Sequence, residues 1–202
     1  MIGWIAAAVF AFLLAVPLAA AAPAPLPVFT DGGSAVVRRI GDAGEIELAD
    51  GRRLMLVDIA LPPPRAPGDF ADRARAVLAT LAPAGRVITL RFAGAPQDRY
   101  GRVLAEAFVG DHWLQGELLQ RGLARVEGRA DERVGLAAML AIEATARQAR
   151  HGLWALRAFA VRRADELSRR DTDAFQIVEG RATQAAKAGG AVYVNFGPDW
   201  HS

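Results

Sequence analysis

The chain has 202 residues, of which 52% are hydrophobic, and a formal net charge of +2. This length and apolar content exclude a mostly disordered chain, and the absence of cysteine excludes disulfides, thiolate metal sites and a lipid-anchored lipoprotein. Almost all basic residues are arginines, since Lys187 is the only lysine. Arginine suits phosphate because its guanidinium is a planar fork of donors. A compositional bias of the genome explains the same count, so the charge alone identifies no partner.

The first segment of the chain is apolar from Ile2 to Ala22, and no charged side chain precedes Asp31. It ends in small residues, with Ala19 and Ala21 at the Ala-x-Ala spacing that is typical of a secretory signal peptide. An uncleaved N-terminal membrane anchor is the alternative, because the run is just long enough to span a bilayer. We expect a signal peptide at 1–22, a linker at 23–33, and therefore an exported protein, periplasmic or secreted.

Short strands and helices follow this linker in chain order. Runs of β-branched residues between turn signals such as Asp50-Gly51 predict strands, and apolar residues at helical spacing predict helices. Three consecutive prolines exclude a helix or a central strand from the loop 61–69. The predicted strands are 34–40, 44–49, 52–60, 86–92, 102–109 and 124–126. The predicted helices are 70–81, 112–121, 131–150 and 154–170.

The order of these elements predicts a β-rich α+β fold. A five-stranded barrel with about three helices fits the OB-fold class, whose faces bind oligonucleotides and sugars. We expect this domain at 34–157, followed by a helical linker and a partial β extension at 158–202. Within the extension, 175–180 and 190–196 are predicted to form a short strand pair.

Three passages carry a resemblance to a known family: DGRRLMLVDIALP from Asp50, DRYGRVLAEAFVGDHWLQGELLQRGLARV from Asp98, and AIEATARQARHGLWA from Ala141. In order and spacing they resemble the thermonuclease, or staphylococcal-nuclease-like, family over residues 34 to 157. The residues from Phe175 onward resemble an extension found after some exported bacterial members. The resemblance implies the OB-fold and the calcium-dependent hydrolysis of phosphodiester bonds in DNA and RNA.

The resemblance assigns a role to three residues. Arg53 and Arg102 match the two arginines that bind phosphate, where fixed cations stabilise the charge that gathers in the transition state. Asp58 matches an aspartate that binds calcium, an ion that takes hard oxygen ligands. Each has an alternative role. In these alternatives, Arg53 is a solvated residue of its strand, Arg102 pairs with Asp98 or with a carbonyl, and Asp58 caps a turn.

Three positions depart from the family pattern. Leu61 stands where the family has the glutamate that is proposed as general base, and Leu61 cannot accept a proton. In the first hairpin, Gly44 stands where the family has a second calcium aspartate, although Asp42 or Glu45 offers a substitute if the turn changes. Ile59 replaces a threonine that offers an oxygen near the metal. Since the loss of an acid–base group lowers rates by roughly 10² to 10⁴, we expect weak or absent hydrolysis and an incomplete calcium site.

Other candidate residues leave alternatives open. Glu106 lies four residues after Arg102, so on a strand both point to one face. This predicts either a displaced general base or, as the better interpretation, an Arg–Glu surface pair. Tyr100 is expected either to stack on a base or to be buried in its turn. The three histidines, His112, His151 and His201, have no metal-ligand spacing.

Two functions follow from these residues. The first is a weak thermonuclease-like phosphodiesterase that acts on DNA or RNA. The second is a non-catalytic OB-fold module that binds nucleic acid or another anionic partner. Single-stranded DNA or RNA is a partner that either function allows, and the residue at position 61 separates the two functions.

Overall fold

The structure of the protein is a computed structural model that describes residues 29–64, 68–128, 134–167 and 177–196. The predicted signal peptide and most of the predicted linker lie outside the described residues. Within the described ranges, no helix is both long and apolar enough to cross a membrane.

The elements of the described residues follow the chain in this order. The strands are β1 (Thr30–Ile40), β2 (Ile46–Leu48), β3 (Arg53–Leu56), β4 (Ile59–Ala60), β5 (Val87–Phe92), β6 (Val103–Val109), β7 (His112–Trp113), β8 (Arg125–Val126), β9 (Val161–Arg163), β10 (Ile177–Glu179), β11 (Gln184–Ala188) and β12 (Ala191–Asn195). The α-helices are α1 (Phe70–Leu81), α2 (Leu114–Gln120) and α3 (Leu136–Gln148).

Five of these strands form a closed barrel in the order β3-β2-β1-β5-β6, because β3 also pairs with β6. The β3–β6 pair is parallel, and the other pairs in the barrel are antiparallel. The long strand β1 pairs with β5 through its first half and with β2 through its second half, and its register shifts between Val37 and Arg39. Such irregularities bend a strand and allow a small sheet to close. The predicted five-stranded OB-fold barrel with three helices is confirmed.

The interior of the barrel follows from the alternation of side chains along each strand. In β3, Leu54 and Leu56 are buried, whereas Arg53 is exposed and Met55 is half-buried. In β6, Val103, Ala105 and Ala107 face the same interior and are at most 1% exposed. The opposite, outer face of β3 and β6 therefore carries Arg53 and Met55, and this face is where the functional residues lie.

Several predicted elements have different boundaries in the structure. The strand β1 begins four residues earlier than predicted. The predicted strand 52–60 is interrupted by a turn at Asp58, whose φ is 59°. The predicted helix 112–121 begins only at Leu114, because His112 and Trp113 pair with β6 as β7. Helix α3 begins at Leu136, and the predicted start of that helix at 131 lies outside the described residues.

The predicted helix at 154–170 is wrong for the described residues through 167. This segment forms short 3-10 turns and the strand β9. Leu153 and Trp154 are buried, and Leu156 and Phe159 pack against the core. The extended backbone of Leu156, with φ −91° and ψ 137°, interrupts any helix here.

The predicted C-terminal strand pair is confirmed, but its two strands are β11 and β12, and the strand at 177–179 has another partner. The strand β10 pairs in parallel with β9, and β12 pairs with β11 instead. The turn between β11 and β12 is Gly189-Gly190, with φ values of 58° and 82°, which suits a tight hairpin. The strand β11 was not predicted because its sequence, QAAKA, has residues that are depleted in strands.

Candidate functional site

The parallel pair of β3 and β6 places the two predicted phosphate-binding arginines side by side. Leu54 is paired with Val103, and Met55 with Leu104. Arg53 and Arg102 are the residues immediately before Leu54 and Val103, so they lie at neighbouring positions on strands about 4.8 Å apart. Arg53 is exposed, and the side chain of Arg102 is 34% exposed. Two guanidinium groups are therefore brought to one solvent-facing surface.

The turn that leads into β6 is organised by Asp98. Its Oδ1 accepts hydrogen bonds from the backbone N–H groups of Tyr100 at 2.8 Å and Arg102 at 3.0 Å, and its Oδ2 accepts one from Arg102 Nε at 2.6 Å. Burial raises the pKa of Asp98, but the hydrogen bonds from Arg102 and Tyr100 outweigh it and hold the pKa below its ordinary value. The expected pairing of Arg102 with Asp98 is confirmed, and it fixes this guanidinium beside β3.

Tyr100 lies at the tip of the same turn and is 63% exposed. The guanidinium carbons of Arg99 and Arg102 lie 4.9 Å and 5.4 Å from the centre of its ring. The alternative of a buried tyrosine is therefore wrong. The ring is held by cation–π contacts on the surface that Arg102 shares.

A cleft of about 340 Å³ adjoins this surface. Met55, on the same outer face of β3 as Arg53, is one of its lining residues. The cleft is mainly apolar, and its charged lining residues are Asp42, Arg75 and Glu127. The full lining is Asp42, Ala43, Gly44, Met55, Leu56, Ile59, Ala60, Leu61, Pro62, Pro63, Pro64, Ala71, Arg75 and Glu127.

Asp58, the predicted calcium ligand, is not among the residues that line the cleft, although Leu56 and Ile59 on either side of it are. It occupies the turn between β3 and β4, is 5% exposed, and accepts a backbone hydrogen bond at its carbonyl from Glu127. The carboxylate oxygens of Asp58 are buried.

The two expected substitutes for the missing aspartate differ in position. Asp42 lines the cleft, but its carboxylate lies 3.5 Å from Arg75. Glu45 folds back into its own turn and accepts a hydrogen bond from the N–H of Ala43 at 3.1 Å. In the part of the chain that the structure describes, no three acidic or histidine side chains form a group that could hold a metal ion. This donor set does not fit calcium, which takes six to eight oxygen ligands, and the calcium role of Asp58 stays a prediction.

Glu106 is fully buried, so the predicted surface pair with Arg102 is wrong. Its Oε2 accepts a hydrogen bond from Trp113 Nε1 at 2.6 Å. Trp113 stacks on Phe108 with the ring centres 6.2 Å apart, and this pair covers the outer face of β6 beyond Leu104. Since a general base must reach substrate or water, the buried position also argues against Glu106 as a displaced base.

The described histidines have separate structural contacts. Nδ1 of His112 lies 3.1 Å from Glu117, and Nδ1 of His151 lies 3.2 Å from the carbonyl of Gln120. His201 lies outside the described residues.

Arg75 and Glu127 are the residues of the cleft that the sequence analysis missed. Ala71 and Arg75 lie one helical turn apart on α1, so helical spacing alone places them on one face. Glu127 directly follows β8, and β8 pairs with β4. Only that pairing, between segments more than sixty residues apart, brings Glu127 to the cleft.

The protein is a small closed OB-fold barrel. Its outer face carries two neighbouring arginines, and such a surface suits anionic ligands. The chain belongs to the staphylococcal nuclease homologue family, whose model matches residues 53–156, just over half of the chain. Comparison with curated proteins gave no match. The matched region begins at Arg53, so it includes both arginines but not the turn that contains Gly44. The resemblance to this family is thereby confirmed.

Proposed function

We propose that the protein binds single-stranded DNA or RNA through Arg53, Arg102 and Tyr100, and hydrolyses it at least ~100-fold more slowly than a family member with a complete site. The observation that carries this proposal is the adjacency of Arg53 and Arg102 on the parallel strands β3 and β6. Arg53 is exposed, and Arg102 is oriented by Asp98.

The chemistry of these side chains supports binding without catalysis. Guanidinium groups form charge-assisted, often bidentate hydrogen bonds with phosphate oxygens, and no general base is needed for them. An exposed aromatic ring such as that of Tyr100 can stack on bases of any sequence. An unstacked base is accessible in a single strand, and this favours single-stranded partners.

Hydrolysis needs an activated water in addition to bound phosphate. Leu61 offers no proton acceptor, and Glu106 is buried against Trp113. We therefore expect this protein to bind phosphate groups but to hydrolyse phosphodiester bonds only slowly.

A phosphodiesterase whose residual cleavage uses Glu127 as the base is the second candidate, and the position of Glu127 is the observation that favours it. Its exposed side chain lines the same cleft as Leu61, where a carboxylate can position a water molecule. On this alternative, Glu127→Gln removes residual cleavage but leaves the affinity for a single strand unchanged. Cleavage that is unaffected by the substitution rejects Glu127 as the base.

We also propose that the protein is exported, on the basis of the apolar run and the Ala-x-Ala ending. Mass spectrometry of the protein from its native host should find a chain that begins near Ala22. An intact form with Met1 that stays in the membrane would support the anchor instead.

The binding proposal is tested by fluorescence anisotropy of a labelled single-stranded oligonucleotide at several salt concentrations. If two arginines neutralise two phosphates, the logarithm of the binding constant should fall against the logarithm of salt with a slope of about −1.4. Duplex DNA of the same length should bind less tightly. Absence of saturable binding at low salt would contradict the proposal.

A further inference from the structure

Two of the departures from the family pattern, Gly44 and Leu61, contact each other in the folded protein. Gly44 is buried in the turn between β1 and β2 and has a φ of 84°. A Cβ built on Gly44 would overlap Leu61 Cδ1 far inside van der Waals distance. The side chain of Leu61 thus occupies the space that any side chain at position 44 would need.

The conformation of Gly44 adds a second restriction. A positive φ is readily adopted by glycine and strains residues that carry a Cβ. An aspartate at position 44 would therefore meet both an unfavourable backbone conformation and the Leu61 side chain. Likewise, a glutamate at position 61 would pack against the bare backbone of Gly44 and find no carboxylate partner there.

The rest of the cleft on this side is also unsuited to a cation. Ile59 and Pro62 are buried beside Leu61. The nearby carboxylate of Asp42 already lies close to the positive charge of Arg75. In wild type, where positions 44 and 61 supply no carboxylate, a divalent cation would therefore meet apolar walls and a guanidinium, whereas it requires several oxygen ligands.

We infer that Gly44 and Leu61 form one interlocked apolar pair that closes the side of the cleft where the family pattern has carboxylates, so that a side chain at position 44 requires the Leu61 side chain to move, and a metal site requires a carboxylate at both positions. For ligand binding, this inference rests on the proposed function, and it implies that the arginine surface binds phosphate without a divalent cation. The closure itself is a property of the fold, and it can be tested without nucleic acid.

The first test is a double-mutant cycle of thermal unfolding with Gly44→Ala, Leu61→Ala and both together. Gly44→Ala should lower Tm more in the wild-type background than in the Leu61→Ala background, by at least about 2 °C, because only wild type has the overlap. Backbone strain at position 44 is present in both backgrounds and cancels. An equal decrease in the two backgrounds overturns the interlock.

A matched control is available at Gly51, in the turn between β2 and β3. Its φ is 87°, and no described atom lies within 4 Å of a Cβ built there. Gly51→Ala therefore reports the strain of a positive φ alone. Its effect on Tm should be smaller than that of Gly44→Ala and should not change in the Leu61→Ala background.

The second test is calcium titration by calorimetry of wild type, Leu61→Glu and Gly44→Asp/Leu61→Glu. Wild type and Leu61→Glu should bind calcium no tighter than about millimolar, and the double variant at least tenfold tighter. Micromolar binding by Leu61→Glu alone overturns the inference, as does a double variant no tighter than wild type. Neither test uses nucleic acid. The inference can therefore fail while the proposed function holds, and the proposed function can fail while the inference holds.

Discussion

The outer face of β3 and β6 and the mouth of the adjoining cleft lie within a few residues of each other, yet they differ in chemistry. The face carries two arginines at neighbouring backbone positions and an exposed tyrosine ring. The mouth of the cleft carries Leu61 packed on Gly44, where the family pattern has carboxylates. The first region suits the binding of an anion, and the second offers neither a base nor a set of metal ligands.

This difference separates two functions that share one site in a complete nuclease. Binding depends on fixed positive charge, which the barrel supplies through the register of two strands. Hydrolysis depends further on an activated water and, in this family pattern, on a metal ion. On the proposed function, the arginine surface binds phosphate while the adjoining cleft is apolar, because the two regions use different residues.

The arginine surface should give the largest effect on affinity. Hydrogen bonds to charged groups contribute about 1.5–3 kcal/mol, so Arg53→Ala and Arg102→Ala should each weaken single-strand binding by roughly tenfold or more. Arg52→Ala is the matched control, because Arg52 is adjacent to Arg53 but pairs with Asp50. Anisotropy titrations measure all three. Equal loss in Arg52→Ala would mean that net charge, and not this surface, determines binding.

A separate variant distinguishes geometry from charge at position 102. Arg102→Lys keeps the positive charge but not the planar fork of donors. It should bind less tightly than wild type and more tightly than Arg102→Ala. Wild-type affinity in Arg102→Lys would contradict bidentate binding.

The buried Glu106 should affect stability but not binding. Glu106→Ala leaves Trp113 Nε1 without its acceptor, and a buried polar group in that state costs about 1–3 kcal/mol. Glu106→Gln keeps an oxygen acceptor and should lose less stability. Urea unfolding measures both variants, and anisotropy should give the wild-type affinity. Loss of cleavage in a stable Glu106→Ala protein would identify Glu106 as a displaced base.

Tyr100 should have a smaller effect than either arginine. Stacking of a base on an aromatic ring contributes about 1–3 kcal/mol, and we expect the low end because the ring is exposed on one turn. Tyr100→Ala should lower affinity by about tenfold or less, and Tyr100→Phe should bind like wild type. A loss in Tyr100→Phe equal to that in Tyr100→Ala would exclude stacking as the cause.

The smallest expected effect is on thermal stability and concerns Glu143 of α3. This side chain accepts a hydrogen bond from the N–H of Val126 in β8. Burial raises the pKa of Glu143 above its ordinary value, despite that hydrogen bond and the positive charges of Arg147 and Arg125. The folded protein therefore binds this proton more tightly than the unfolded chain. The resulting stability is present below the ordinary pKa of 4.5 and is lost as pH rises through the raised pKa.

Glu143→Gln removes that titration and keeps an acceptor for Val126. The Tm of the variant relative to wild type should therefore be higher at pH 7 than at pH 4. Thermal unfolding at both pH values measures the difference, and affinity for a single strand should not change. A difference in Tm that is constant with pH would contradict the raised pKa.

The barrel and the arginine pair could be predicted from the sequence because their signals are local. Alternation around Leu54 and Leu56 and the Asp50-Gly51 turn indicate β2 and β3. The motif that ends in Arg102 fixes where β6 begins, and the parallel pairing then follows from the family fold.

The surroundings of Glu106, Gly44 and Leu61 could not be predicted, because each depends on a contact across the fold. Glu106 is buried by Trp113, which β7 carries back over β6. The overlap between Gly44 and Leu61 depends on how the first hairpin turn meets the segment after β4. The partner of each C-terminal strand could likewise not be predicted, since hydrophobic alternation indicates a strand but not its partner.

Binding and cleavage of one labelled single-stranded oligonucleotide, measured on the same wild-type samples with calcium and with a chelator, test the central claim most directly. We expect an affinity that the chelator leaves unchanged, and cleavage at least ~100-fold below that of a family member with a complete site. Rapid cleavage in calcium, or binding that the chelator abolishes, would show that the cleft still holds a working metal site and would contradict the separation of binding from hydrolysis.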